Sequence, residues 1–143
     1  MQTESKRIMA VDYGRKRIGI AISDEQRIAI TPLPILYYTQ KNFWKDFDSI
    51  IEKYQPGEII IGNPVLADGS EGSLSYEISN FKRRLEKKFP HIKITLFDET
   101  YTSQVAVSIM EINRSKKLSP KKNKKKIDSV AAAVLLKDYL NQR

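Results

Sequence analysis

Apolar residues run unbroken over Ile8-Met9-Ala10-Val11, and Ile18, Ile20, Ala21 and Ile22 crowd the stretch from Arg17 to Ser23. Both read as buried strands, and the short turn Tyr13-Gly14-Arg15-Lys16 makes them a hairpin in which Asp12 closes the first. Ile28 to Ile30 begins a third strand, where Pro32 and Pro34 withhold backbone donors and suit an edge or an irregular extension through Tyr38. From Asn42 the period changes. Phe43, Phe47, Ile50, Ile51 and Tyr54 recur at helical spacing until Pro56-Gly57 stops them, so one helical face packs on the sheet.

Glu58-Ile59-Ile60-Ile61-Gly62 is a short apolar run bounded by turn residues, the pattern of a central parallel strand buried on both faces. A loop follows from Asn63 to Ser73. Leu74, Ile78, Phe81, Leu85 and Phe89 then mark a second helix, ended by Pro90, with Lys82, Arg83, Arg84, Lys87 and Lys88 on its outer face. Ile92 to Phe97 predicts another strand, Thr102 or Ser103 can cap a helix reaching Ile112, and Ile127 to Leu140 predicts a final apolar helix. Asn113 to Lys126 has no apolar periodicity. The order predicts a single α/β domain over residues 1–143, a mixed five-stranded sheet whose first strands are antiparallel and later strands parallel, flanked by helices.

Composition narrows the partners. At 41% hydrophobic and 29% charged the chain is neither disordered nor collagen-like. No apolar run approaches the roughly 20 residues of a membrane span, and Met1 to Arg7 lacks a secretory core, so the expected compartment is the cytoplasm, with no membrane partner. Without cysteine, disulfides, thiolate zinc sites and cysteine nucleophiles are excluded. A net charge of +8 favours polyanions through phosphate contacts. Nucleic acid is the leading partner class, although lysines can also serve solubility alone.

Three acidic positions carry candidate chemistry. Asp12 ends a strand that should be central, where a turn-making role is the plain alternative. Asp98-Glu99 closes the last strand, and alternation points the two side chains apart, so at most one faces a common site. Asp128 opens the final helix, where an acid suits the helix dipole in any protein, yet Ile127, Val130 and Ala131 put that turn against the core. Convergence would give oxygen ligands without histidine or cysteine, the preference of Mg2+ or Mn2+. His91, between Pro90 and Ile92, reads as an exposed loop residue without a role. The stretch Gly62 to Gly72, with Asn63, Asp68 and Gly69, could bring its backbone close to a phosphate, but it lacks the Gly-Lys-Ser/Thr of a Walker loop.

Taken together, Asp12-Tyr13-Gly14-Arg15-Lys16-Arg17-Ile18-Gly19, the loop Gly62 to Gly72, Asp98-Glu99 and Lys126-Ile127-Asp128-Ser129-Val130-Ala131-Ala132 resemble the YqgF/RuvX family, in order and spacing, from about Arg7 to Leu140. The resemblance implies a ribonuclease H-like fold and a metal-dependent nuclease. It implies 5′-end maturation of the precursor of small-subunit ribosomal RNA, with association to the ribosomal subunit, or alternatively Holliday junction resolution on branched DNA. Carried over by position, Asp12, Glu99 and Asp128 become the metal-binding catalytic acids, with Asp98 as the substitute. The chain departs from the family at Thr100, where Arg is usual, at Asn63, often Leu, and at Ser73, often Pro. A missing arginine removes one bidentate phosphate contact and favours a non-catalytic, nucleic-acid-binding assembly factor as the competing reading.

Arg15, Lys16 and the retained Arg17 follow Asp12 directly. Lys121, Lys122, Lys124, Lys125 and Lys126 precede Asp128, together with Lys116 and Lys117. Both groups are candidate contacts to a phosphate backbone. A monomer suffices for trimming RNA, whereas junction resolution asks for two active sites and so for a homodimer. A nucleotide-binding fragment of the actin-like kind is disfavoured, since those enzymes close two such domains on a nucleotide.

Overall fold

The computed structural model describes residues 6–65, 74–100 and 129–142. Strands β1 (Ile8–Tyr13) and β2 (Arg17–Ser23) pair antiparallel, with Met9 opposite Ile22 and Asp12 opposite Gly19. In the turn between them a Cβ on Gly14 would stand 2.6 Å from the Arg17 carbonyl oxygen, so the hairpin closes only on glycine. Strands β3 (Ile30–Pro32) and β4 (Leu36–Tyr37) both pair antiparallel with β2 on its outer side, where prolines cost no central hydrogen bond. After helix α1 (Phe43–Tyr54), strand β5 (Glu58–Val65) lies parallel to β1. Helix α2 (Ser75–Lys88) then leads to β6 (Lys93–Thr100), parallel to β5.

The strand order is β3-β2-β1-β5-β6, with β4 also on β2, which makes six strands among the described residues where five were expected. The extra one is the irregular extension beyond Pro34, which closes a second short ladder on β2. Two other boundaries differ from the reading of the sequence. Strand β5 runs on through Gly62 and Asn63 to Val65, so these residues do not open a loop. Strand β6 runs on to Thr100, so Asp98 and Glu99 lie inside the strand. Gly, Asn and Pro disfavour strands locally. Here the ladder from Asn63↔Asp98 to Val65↔Thr100 continues to employ backbone groups that the turn would have left to water.

Alternation along the strands divides the apolar residues between two faces. Met9, Val11, Ile18, Ile20, Ile59 and Ile61 meet α1 and α2 through Phe43, Phe47, Ile78, Phe81 and Leu85. Ile8, Ala10, Ala21 and Ile60 meet helix α3 (Val130–Asn141) through Ala132, Leu135 and Leu136. Helix α1 stops as the pattern predicts. Gln55 turns left-handed at φ 47° ahead of Pro56-Gly57 and donates its N–H to the Ile51 carbonyl at 2.8 Å. At the amino-terminal end of β5 the carboxylate of Glu58, 6% exposed, accepts from Tyr139 at 2.8 Å and Thr95 at 2.9 Å, which ties α3 to the sheet. The helix expected from Thr102 or Ser103, the basic stretch Asn113 to Lys126, and Ile127 and Asp128 lie outside the described residues.

Candidate active site

Because β1, β5 and β6 run parallel, their carboxyl ends share one edge of the molecule. Ile61 pairs with Val11 on one side and Leu96 on the other. One residue further, Asp12 stands level with Gly62 and Phe97. Ile8 and Ala10 face α3, so alternation turns Asp12 to that side as well. Burial pushes its carboxyl from 3.8 up to about 6. Among the described residues no donor or cation reaches that carboxylate, so nothing offsets the desolvation.

Asp98 leaves the same edge in the opposite direction. Its carboxylate accepts from the Asn63 amide at 2.9 Å, and the Asn63 carbonyl oxygen in turn accepts from the Ser75 hydroxyl at 3.1 Å. Asn63 and Ser75 are 6% and 7% exposed, so the chain of bonds satisfies polar atoms that have little water. It fastens the end of β6 to the first turn of α2. Asp12 and Asp98 therefore occupy opposite faces of the sheet. Asn63, a candidate for cradling phosphate, spends its amide inside the protein, and the departure from leucine at this position acquires a physical reason.

On the Asp12 face α3 comes close. A Cβ on Gly62 would meet the Leu135 methyl carbons at 3.1 and 3.3 Å, so glycine lets the helix settle against the sheet at the level of Asp12. Ser129, 1% exposed, donates to the carbonyl of Leu33, whose own N–H bonds to Ile20 at 2.8 Å. Ile20 pairs with Val11, so the residue after Asp128 is anchored one level from Asp12. Of the other candidates, Glu99 pairs by backbone with Pro64. Asp68, Gly69, Gly72, Lys121, Lys122, Lys124, Lys125 and Lys126 lie outside the described residues, as does Asp128. Among the described residues no three acidic, histidine or cysteine side chains gather as a metal cluster.

Arg15, Lys16 and Arg17 sit exposed in the turn after Asp12 and at the start of β2. The Arg15 guanidinium holds Glu77 at 3.0 Å, an exposed pair that phosphate can exchange at little cost. The basic face of α2 is engaged locally. Lys82 pairs with Glu86 at 3.0 Å, Arg84 donates to the Tyr38 hydroxyl at 3.1 Å, and Lys88 meets Asp48 at 3.3 Å and lies over the Trp44 ring. His91 is exposed, as the sequence suggested. Ser75 and Leu135 escaped the sequence reading, and Ser129 entered it only within the motif around Asp128; a serine before an apolar helix indicates a cap rather than a tether.

The profile of the RuvX family, described as Holliday junction resolvase, matches residues 6–142. A Flavobacterium psychrophilum protein described as "Putative pre-16S rRNA nuclease" is 33% identical over 138 residues, which cover 96% of this chain and 98% of that one. A Sulfurihydrogenibium protein of the same description is 36% identical over 138 residues, covering 95% and 90%. Among solved structures, T. thermophilus RuvC in complex with Holliday junction substrate superposes with a TM-score of 0.56 at 10% identity, covering 95% of each chain. That likeness establishes the ribonuclease H-like fold alone. No helix among the described residues is long and apolar enough to cross a membrane.

Proposed function

The chain belongs to the RuvX family, and from that premise we propose that it is a metal-dependent nuclease, acting as one domain in the cytoplasm, that hydrolyses phosphodiester bonds in the precursor of 16S ribosomal RNA. The observation that carries the reading is Asp12: a desolvated carboxylate, without a protein donor among the described residues, at the carboxyl end of a central strand. A buried anion of that kind is stable only when protonated or when a cation reaches it. A divalent cation therefore fits this position. Oxygen donors without nitrogen or sulfur suit Mg2+ or Mn2+.

Glu99 and Asp128 are the partners we assign to Asp12. Asp98 spends its carboxylate on the Asn63 amide, which supports taking Glu99, its neighbour in the sequence, as the ligand of the pair. The anchoring of Ser129 next to β3 brings the start of α3 to the same edge. When bound, the cation supplies an acidified water and charge stabilisation for the departing oxygen. The chain's own contribution is to orient these carboxylates, to pack α3 against the strand end through Leu135 over Gly62, and to grip phosphates with Arg15, Lys16 and Arg17. Protons and the cation compete for the Asp12 carboxylate, whose cation-free pKa burial raises to about 6, so cation binding and cleavage should weaken as pH falls.

Relatives described as pre-16S rRNA nucleases favour the RNA substrate, with ribosomal subunits as the setting. The description of the family as Holliday junction resolvase supports a second reading on branched DNA. A 5′-extended small-subunit RNA precursor and a four-way DNA junction, each incubated with Mg2+, Mn2+ or chelator, decide between them. Cation-dependent cutting of the RNA, lost in Asp12→Ala, is the expected outcome. Binding of both without cutting of either would replace the nuclease with a non-catalytic assembly factor.

A further inference from the structure

Among the described residues Tyr37 belongs to neither of the two buried clusters that hold the sheet to its helices. Leu36 and Tyr38, its neighbours, both turn inward to the aromatic cluster beneath α1 and α2, and Tyr38 alone meets Tyr13, Phe43, Trp44 and Phe81. Strand alternation sends Tyr37 to the other side of the sheet, the side of Asp12. There it is 42% exposed, and among the described residues its ring touches no other ring and lies under no cation. The register fixes its surroundings. Tyr37 is directly opposite Arg17, and Arg17 stands two residues along β2 from Gly19, the cross-strand partner of Asp12. Arg17, Gly19 and Asp12 thus share one face, and the glycine leaves no side chain between the arginine and the acid. Strand spacings put Tyr37 roughly 12 Å from Asp12.

A half-exposed tyrosine beside an arginine, on the face that carries an ionisable carboxylate, has the chemistry of a stacking platform with a phosphate grip. Aromatic rings take up unpaired bases because every base has a π-face, whereas in a duplex those faces are already stacked. Building on the nuclease reading above, we propose that Tyr37 stacks an unpaired base and Arg17 holds the adjoining phosphate, so the substrate enters the Asp12 face as a single strand. The most exposed tyrosine among the described residues, Tyr76, 76% exposed, belongs to the first turn of α2, on the opposite side. It lies off this path and serves as the control.

The test is fluorescence anisotropy of a labelled single-stranded RNA oligonucleotide and of the same sequence as a duplex, both in chelator, so that no cutting intervenes. Tyr37→Ala should weaken single-strand binding roughly 10-fold or more and duplex binding less than about twofold. Tyr37→Phe should restore the single-strand affinity, and Tyr76→Ala should match the parent protein. Unchanged single-strand binding in Tyr37→Ala, or an equal loss on both probes, overturns the proposal. The two readings fail separately. Tyr37-dependent binding in a protein that cuts nothing removes the nuclease and keeps the platform, whereas cation-dependent cutting with an indifferent Tyr37→Ala removes only the platform.

Discussion

The two faces of the sheet are built from the same alternating strands but differ in what they pack. Beneath α1 and α2 lie large rings: Phe43, Phe47 and Phe81 are buried, with Tyr38 edge to face on Phe43, and Tyr13 tilted and Trp44 stacked on Phe81. Beneath α3 the residues are small, Ala10, Ala21, Gly62 and Ala132 among them, so that the helix backbone comes near the sheet. The first face buries enough apolar area to hold the domain together. The second leaves Asp12 half-buried at its rim, with no donor to its carboxylate among the described residues. Stability and chemistry are thus separated across a single sheet, and removing the Phe81 ring from one face or the Asp12 charge from the other should act in opposite senses.

The largest effect on stability belongs to the aromatic face. Phe81 is 1% exposed and contacts five other rings, so Phe81→Ala should cost about 3–5 kcal/mol in urea unfolding. A loss under about 1 kcal/mol would mean that this face is not the principal core. Asp12→Asn should do the reverse. The folded carboxyl titrates at about 6 against 3.8 unfolded, so the folded state binds the proton more tightly. Stability therefore rises as pH falls from above 6 toward 4, and the ionised group costs about 2–3 kcal/mol at neutral pH. Asparagine removes that cost. The variant should be more stable than the parent by about that amount at pH 7 in chelator, with the gap closing toward pH 4, and should cut nothing. Parent and variant melting alike across that range would show that Asp12 is not desolvated.

The same contrast explains what could be read from the sequence. Helices α1 and α2 announce themselves because large apolar residues recur at helical spacing, and β1, β2 and β5 because Ile and Val crowd together. The register between strands is not local. Whether Asn63 opens a loop or extends β5 depends on a partner 35 positions away in the chain, Asp98, and on Ser75 behind it. The importance of Asp12 was legible as a motif, but its desolvation was not, since burial at a strand end is decided by packing that the local sequence does not contain. Alternation already said that Asp98 and Glu99 diverge; only the Asn63 amide says which way Asp98 goes. Arg15 was legible as a cation, and its tie to Glu77 was not.

Gly62→Ala sharpens the comparison at smaller cost. The new methyl would press on Leu135 at 3.1 Å, and a flexible leucine end can give way by a few tenths of an ångström. A loss of about 1–2 kcal/mol is expected in urea unfolding. Lifting α3 also admits water to Asp12, so the carboxyl should titrate lower than in the parent, a shift that carbon-13 NMR of the aspartate side chains can follow. Destabilisation with the titration unmoved would separate the glycine from the acid.

The smallest effect on stability, and the most telling for nucleic acid, concerns Arg15 and Glu77. Their ion pair is solvent-exposed, with side chains 62% and 37% accessible, so screening leaves it worth at most about 1 kcal/mol. Glu77→Gln should hardly change the melting temperature. Yet it releases a guanidinium in the turn that follows Asp12 and removes a negative charge that competes with phosphate. Binding of single-stranded RNA should strengthen about two- to fivefold at low salt, with the gain fading as salt rises. Arg15→Ala should move binding the other way and reduce the salt slope by about one. If both variants bind as the parent does, Arg15 serves only to close the hairpin onto α2, and the phosphate grip on this edge falls to Lys16 and Arg17.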